Sequence, residues 1–263
     1  MAIQSSEAII LKRIPLGDTS LLVTVYSRNF GKVKLVARGA RGPKSKIASA
    51  LQPFCIVTVI FNQRPNRELQ NLSKIEVGSF FRNIGEDLSK VGYASAVCEL
   101  VDRLVLGEEP GHELFNLMFE TLQAIDLGPS EACEVLFWRF QLEFAYIYGA
   151  GPEFSNCRGC TKPLQDKEVN FSLAEGGVLC RACQGQDSNT MRLSLGTIRF
   201  LSRVCEMPRD RLNRLKPLKA SRAEIKRLIK AYYLYQMDDR YDLKSLKFLE
   251  SIEIDVVEKN NGK

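Results

Sequence analysis

The chain has almost no histidine and no long apolar run. Its 263 residues contain a single histidine, His112, with no partner at ligand spacing. Catalytic zinc centres keep a coordination position open and use histidine or carboxylate ligands beside a general acid or base. One isolated histidine argues against a zinc hydrolase or deaminase. No uninterrupted apolar stretch approaches the roughly 18 residues of a membrane span. The opening Met1-Ala-Ile-Gln-Ser-Ser-Glu7 lacks the basic-then-apolar build of a secretory signal, so a reducing cytoplasm is expected. A Walker-type phosphate loop is lacking too. Gly39 and Gly42 stand too close together, and Pro43 occupies the place of the second glycine before Lys-Ser. Internal repeats and low-complexity linkers are absent.

What remains is an ordinary globular composition, 45% apolar and 26% charged, in a chain long enough for two domains. Its sharpest local signal is cysteine. Cys157-Arg-Gly-Cys160 and Cys180-Arg-Ala-Cys183 are separated by nineteen residues. Two C-x-x-C turns at such a separation set four thiolates around one tetrahedral zinc. Between them, Val169–Ser172, a Glu175-Gly176-Gly177 turn and Val178-Leu179 read as a small hairpin, the content of a zinc ribbon. A thioredoxin-like pair would be a single C-x-x-C beside a βαβ pattern, which is missing. One structural zinc ion on Cys157, Cys160, Cys180 and Cys183 is the expectation. Cys55, Cys98, Cys133 and Cys205 lie in apolar surroundings and read as small hydrophobes.

The net charge of +6 is unevenly spread. Residues 1–82 hold thirteen Lys or Arg against Glu7, Asp18, Glu68 and Glu76, a balance of +9, and the remainder is about −3. A basic domain suits a polyanionic partner, although such an excess also serves as solubilising surface. The same residues read as β structure: Glu7–Ile14, Thr19–Ser27, Gly31–Arg38, Phe54–Phe61 and Leu69–Val77. Five antiparallel strands without a long helix predict a small closed barrel such as an OB-fold, with an SH3-like barrel or a sandwich as alternatives. On the third run, Lys32, Lys34 and Arg38 share one face and Val33, Leu35 and Ala37 the other. The stripe continues into a Gly-containing loop with Arg41, Lys44 and Lys46. Cations on flexible backbone suit single-stranded nucleic acid, and a solvated basic hairpin is the bland reading. Tyr26, Phe30 and Phe61 are the aromatics available for base stacking, although Phe61 could equally be core.

From about residue 86 the period changes from two to 3.6. Helices are predicted over Asp87–Leu106, His112–Ile125, Glu131–Tyr148, Leu195–Glu206, Ser221–Met237 and Leu243–Ile252. Glu131–Tyr148 is apolar on nearly all sides and should be central. Ser221-Arg-Ala-Glu224 reads as a capping box opening its helix, and Glu253–Lys263 as a frayed polar tail. The expected architecture is α+β and multidomain. A five-stranded OB-fold barrel occupies 1–82, and an all-α domain occupies 83–263 with a zinc ribbon inserted at about 153–188.

Several stretches together resemble the RecO family of bacterial recombination mediators. They are Glu7-Ala-Ile-Ile-Leu-Lys12, Gly31-Lys-Val, Ala37-Arg-Gly-Ala-Arg41, Pro43-Lys-Ser, Leu51-Gln-Pro-Phe54 and Tyr93-Ala-Ser95, then Arg139-Phe140, Cys157-x-x-Cys160, Gly176-Gly-Val-Leu-Cys180 and Leu246-Lys-Phe-Leu249. They occur in family order over nearly the whole chain. The resemblance implies the same barrel, helical domain and zinc ribbon. It also implies a non-enzymatic protein of the cytoplasm and nucleoid that binds single- and double-stranded DNA and anneals complementary strands. Such proteins act with RecR to place RecA on DNA coated by single-stranded-DNA-binding protein. The family's basic barrel surface falls on Lys32, Lys34, Arg38 and Arg41. Its contact with the acidic, apolar C-terminal tail of single-stranded-DNA-binding protein is assigned to the helical domain, where Arg139 is a candidate for pairing with a tail carboxylate. The same arginine could instead satisfy a helix end or an internal carboxylate. A zinc-containing RNA-binding or nucleic-acid-processing protein is the alternative function.

Overall fold

The computed structural model describes residues 2–261 apart from Lys44, Lys46, 65–66, Phe80, 108–110, 187–188 and 238–239; the side chains of Ser79, Gln186 and 253–261 are also outside it. Two compact units divide the chain, Met1–Ser130 with Leu243–Lys263, and Glu131–Asp242.

In the first unit, β1 (Ala2–Leu16), β2 (Ser20–Ser27), β3 (Gly31–Ala37), β4 (Ile56–Gln63) and β5 (Leu69–Ser79) close a barrel in the order β1-β2-β3-β5-β4. One expectation is corrected: the strands are not all antiparallel. β5 leaves the β4 hairpin and inserts beside β3, so Lys34 meets Leu69 and Val36 meets Asn71 in a parallel pair. That pair completes the ring and removes the open edges. Alternation along β3 sends Val33, Leu35 and Ala37 inward to join Ala8, Ile10, Val23, Val25, Val57 and Val59 in the barrel core.

Two of the three aromatics considered for base stacking are interior. Phe61 is 1% exposed, with its ring centroid 5.5 Å from that of Phe30 in an edge-on contact, and Tyr26 is 2% exposed. On a half-buried strand the burial of a large ring outweighs its use at the surface. Phe30 is itself packed, partly buried, against the core.

α1 (Leu88–Leu104) begins at Asp87, whose side chain accepts a hydrogen bond from the Lys90 amide at 3.0 Å. α2 (His112–Leu127) follows, with the lone histidine exposed at its first residue. α6 (Lys244–Asn261) packs across α1 at Gly92, where an added Cβ would lie 2.3 Å from Leu249 Cδ2. The crossing depends on a residue without a side chain. α6 is also longer than the sequence pattern suggests: its backbone stays helical to Asn261, well into the stretch expected to fray.

The second unit is built on α3 (Cys133–Ile147), which is buried at Val135, Leu136, Phe137, Trp138 and Phe140 among others. A three-stranded antiparallel sheet follows in the order β7-β6-β8, with β6 at Glu168–Ser172, β7 at Gly177–Leu179 and β8 at Thr190–Ser194. β8 was not anticipated. It leads directly into α4 (Leu195–Glu206), and α5 (Lys219–Gln236) packs on α4.

The capping-box expectation is corrected as well. α5 starts at Lys219 after an uncapped Leu218, and Ser221 lies inside its first turn. Glu224 turns away, accepting hydrogen bonds from the Ser194 amide at 3.1 Å and the Ser194 hydroxyl at 2.9 Å. Ser194 in turn caps α4 through the Thr197 amide. A tertiary partner has displaced the local one.

Candidate functional site

The sheet of the second unit carries the cysteines. Cys157 and Cys160 lie in the turn before β6, and Cys180 and Cys183 in the turn after β7. Their four Sγ atoms lie within 4.8 Å of one another, and Cys160 Sγ is 3.8 Å from Cys180 Sγ. Four sulfurs at a tetrahedral zinc, each about 2.3 Å from the metal, would stand about 3.8 Å apart. The donor set therefore fits one such ion.

Local backbone chemistry shapes the cluster. The Thr161 amide donates to the Cys157 carbonyl at 2.8 Å, and Thr161 sits at φ +59 to close the first turn. A Cβ on Gly159 would stand 3.0 Å from Cys183 Cβ and 3.2 Å from its sulfur, so the first turn approaches the second only with glycine there. Burial opposes ionisation of Cys157, but the backbone N–H groups of Cys180, Cys160 and Gly159 outweigh it and bring the thiol down to about 6. Donating its S–H to the sulfurs of Cys180, Cys160 and Cys157 favours the protonated form of Cys183 and pushes its thiol up to about 12. Four anionic sulfurs cannot crowd together unaided; a dication relieves their repulsion.

The other cysteines behave differently. Desolvation raises Cys98 to about 12 and Cys205 to about 11, the behaviour of inert thiols.

The barrel's basic stripe is more committed than alternation alone suggests. Lys32 and Lys34 both point away from the core, but the Lys32 ammonium donates to the Asp102 carbonyl near the end of α1 at 2.8 Å. Lys34 is close-paired with Glu68, whose carboxyl is held below its usual range by that hydrogen bond and by the charge behind it. Arg38 is exposed just past the end of β3. Arg41, also exposed, donates from Nη1 to the Gly17 carbonyl at 3.0 Å, and its amide donates to Thr19. Lys44 and Lys46 lie outside the described residues. Asp102 and Glu68 are the residues that sequence reasoning missed here. They lie 34 to 70 positions from their lysines, with no local pattern to announce them.

Arg139 sits on α3 with internal partners. Nε donates to Glu143 at 2.8 Å, and Nη1 donates to the Val204 carbonyl at 2.5 Å and to the neighbouring Cys205 carbonyl. Its guanidinium caps the C-terminal end of α4, where carbonyls lack helical partners.

Comparison with known proteins accords with both halves. The family model described as "Recombination protein O N terminal" matches residues 1–81, and "Recombination protein O C terminal" matches residues 85–247. Among curated relatives, the DNA repair protein RecO of Desulforamulus reducens is 29% identical over 252 residues, covering 96% of both chains. The DNA repair protein RecO of Syntrophus aciditrophicus is 31% identical over 255 residues, covering 96% of this chain and 97% of its own. That of Symbiobacterium thermophilum is 33% identical over 255 residues, covering 96% and 98%. The two family models together span nearly the whole chain and the relatives match it end to end, so the chain belongs to the RecO family.

Proposed function

We propose that the chain is a non-enzymatic mediator of DNA repair and recombination that binds single- and double-stranded DNA and anneals complementary strands. As the family resemblance implies, it would act with RecR to load RecA where single-stranded-DNA-binding protein coats the strand, in the cytoplasm and on the nucleoid. The observation that carries the DNA-binding part is the cationic side of the barrel around Lys34, Arg38 and Arg41. Lys34 is paired only at the surface, with a Glu68 whose side chain is 75% exposed. Solvent screens such a pair and leaves it weak, so a phosphate can take the place of the carboxylate at little cost.

The mechanism is electrostatic. Cations on the barrel neutralise phosphates, release counterions and lower the repulsion between strands that must approach to pair. Zinc, held by Cys157, Cys160, Cys180 and Cys183, would supply rigidity. Four thiolates fill its shell and leave no position for a water nucleophile. Arg139 is not carried into this reading, because its guanidinium already serves the end of α4.

Salt-titrated binding of a single-stranded oligonucleotide tests the proposal. Lys34→Glu/Arg38→Glu should weaken binding and flatten the dependence of log affinity on log salt by about 1.4, roughly 0.7 per lost phosphate contact. Annealing should slow in parallel. Parental affinity, slope and annealing rate in that variant would refute the barrel assignment.

A further inference from the structure

Between Arg199 and Lys230 the chain has eleven Lys or Arg against Glu206, Asp210 and Glu224, a local excess of +8. The near-neutral total of the last two thirds conceals it. On α5 the charges are ordered. Ser221, Ile225, Leu228, Ile229, Tyr232 and Tyr233 form the buried side. Lys219, Lys226 and Lys230 recur at i, i+7 and i+11 away from it, with Arg222 and Arg227 to either side. Arg222 and Lys226 reach Glu134 of α3, at 2.5 and 3.2 Å. Lys219, Arg227 and Lys230 are exposed, as are Arg211, Arg214 and Lys216 in the turn that precedes the helix.

We infer that this face of α5, with the turn before it, is a second binding surface for the phosphate backbone of a nucleic-acid strand. The inference rests on the annealing function proposed above and gives it a second site. Annealing requires two polyanions to be held by one protein, and the barrel's cations account for one of them. From Lys219 to Lys230 the helix rises about 16 Å, a span over which several phosphates of one strand can be met in sequence. A single acidic peptide tail would need an apolar seat beside a short cationic patch. Here six exposed cations run along one connected segment.

The test counts strands. Short single-stranded oligonucleotides are titrated onto the full-length protein, onto Lys219→Gln/Arg227→Gln/Lys230→Gln and onto Lys34→Glu/Arg38→Glu. All five positions are surface sites where substitution leaves folding intact, which thermal unfolding verifies. The parent should bind two strands per chain and either variant one, with annealing impaired in both. For the α5 variant, the summed salt slope should fall by about 2, from three lost contacts at roughly 0.7 each. Two strands still bound by the α5 variant with parental annealing would overturn the inference. So would loss of binding to an acidic peptide with DNA binding unchanged, which would assign the face to a protein tail. One strand on the parent, untouched by the α5 changes, would sink the second site while sparing the barrel. No strand on the parent would instead refute the function proposed above.

Discussion

At the scale of single residues, the long-range partners decide most. Glu99, in the middle of α1, is the clearest case. It accepts from the Lys244 and Ser245 amides at 3.0 and 2.9 Å, from the Ser245 hydroxyl at 2.7 Å and from Arg103 at 2.9 Å. It thereby caps α6 from 145 residues away. Burial alone would raise its pKa, but these hydrogen bonds and the Arg103 charge outweigh burial and lower it. A lowered folded-state pKa means stability that is present above the unfolded value of about 4.3 and lost as pH falls through the folded one. Glu99→Gln should therefore destabilise the first unit by on the order of 1–2 kcal/mol at neutral pH. The gap from the parent should close in acid, as chemical denaturation at pH 7 and pH 3 would reveal. A constant gap would mean that shape, and not charge, supports α6. Nothing near Glu99 in sequence hints at this role. By contrast, the apolar alternation of β3 and the four cysteines were legible, because each is a local pattern with one physical meaning.

At the scale of elements, helices and strands were readable wherever their period is intrinsic. α4 spans Leu195–Glu206 as its apolar spacing predicts. Three features were not readable, and each depends on something distant. β8 pairs with β6, a strand about twenty residues earlier, and carries no alternation strong enough to mark it alone. The parallel β3–β5 pair follows from barrel closure. The supposed capping box failed because Glu224 finds Ser194 on the neighbouring element. That exchange makes a testable distinction. Burial raises the Glu224 pKa, but hydrogen bonds from Thr197 and Ser194 outweigh it and lower the value, so the carboxylate form supports the start of α4. Glu224→Ala should cost about 1 kcal/mol in the unfolding of the second unit. It should also speed amide exchange in the first turn of α4, leaving the first turn of α5 unchanged. Faster exchange at α5 instead would restore the capping box.

At the scale of the whole molecule, the four-cysteine sheet and the charges meet on α5. The cysteine sheet packs on that helix: Phe171 meets Tyr232 edge-on with centroids 5.6 Å apart, and the Gln236 side chain donates to the Leu173 and Ala174 carbonyls at 2.6 and 2.8 Å. The Tyr232 hydroxyl donates to the Ala150 carbonyl at 2.8 Å and crowds Gly176 in the β6–β7 turn. Without a cation between them, four thiolates within 4.8 Å of one another would repel, the sheet would open, and α5 would lose the surface that orders it. The barrel has its own closed core of some fourteen buried residues in the other unit and shares none of these contacts. Chelation, or Cys180→Ser, should therefore unfold the second unit at lower temperature while the barrel's transition stays in place. The loss should be at least several kcal/mol, because the binding free energy of a structural zinc, on the order of 10 kcal/mol, counts as folding free energy. The functional consequence differs from that of a lost active site. Metal-depleted protein should keep one strand on its barrel and lose the second, reproducing the strand count of the α5 charge variant. If depletion abolished all strand binding, the barrel would depend on the helical unit. If it abolished none and left both thermal transitions unchanged, the four cysteines would not be holding α5 in place.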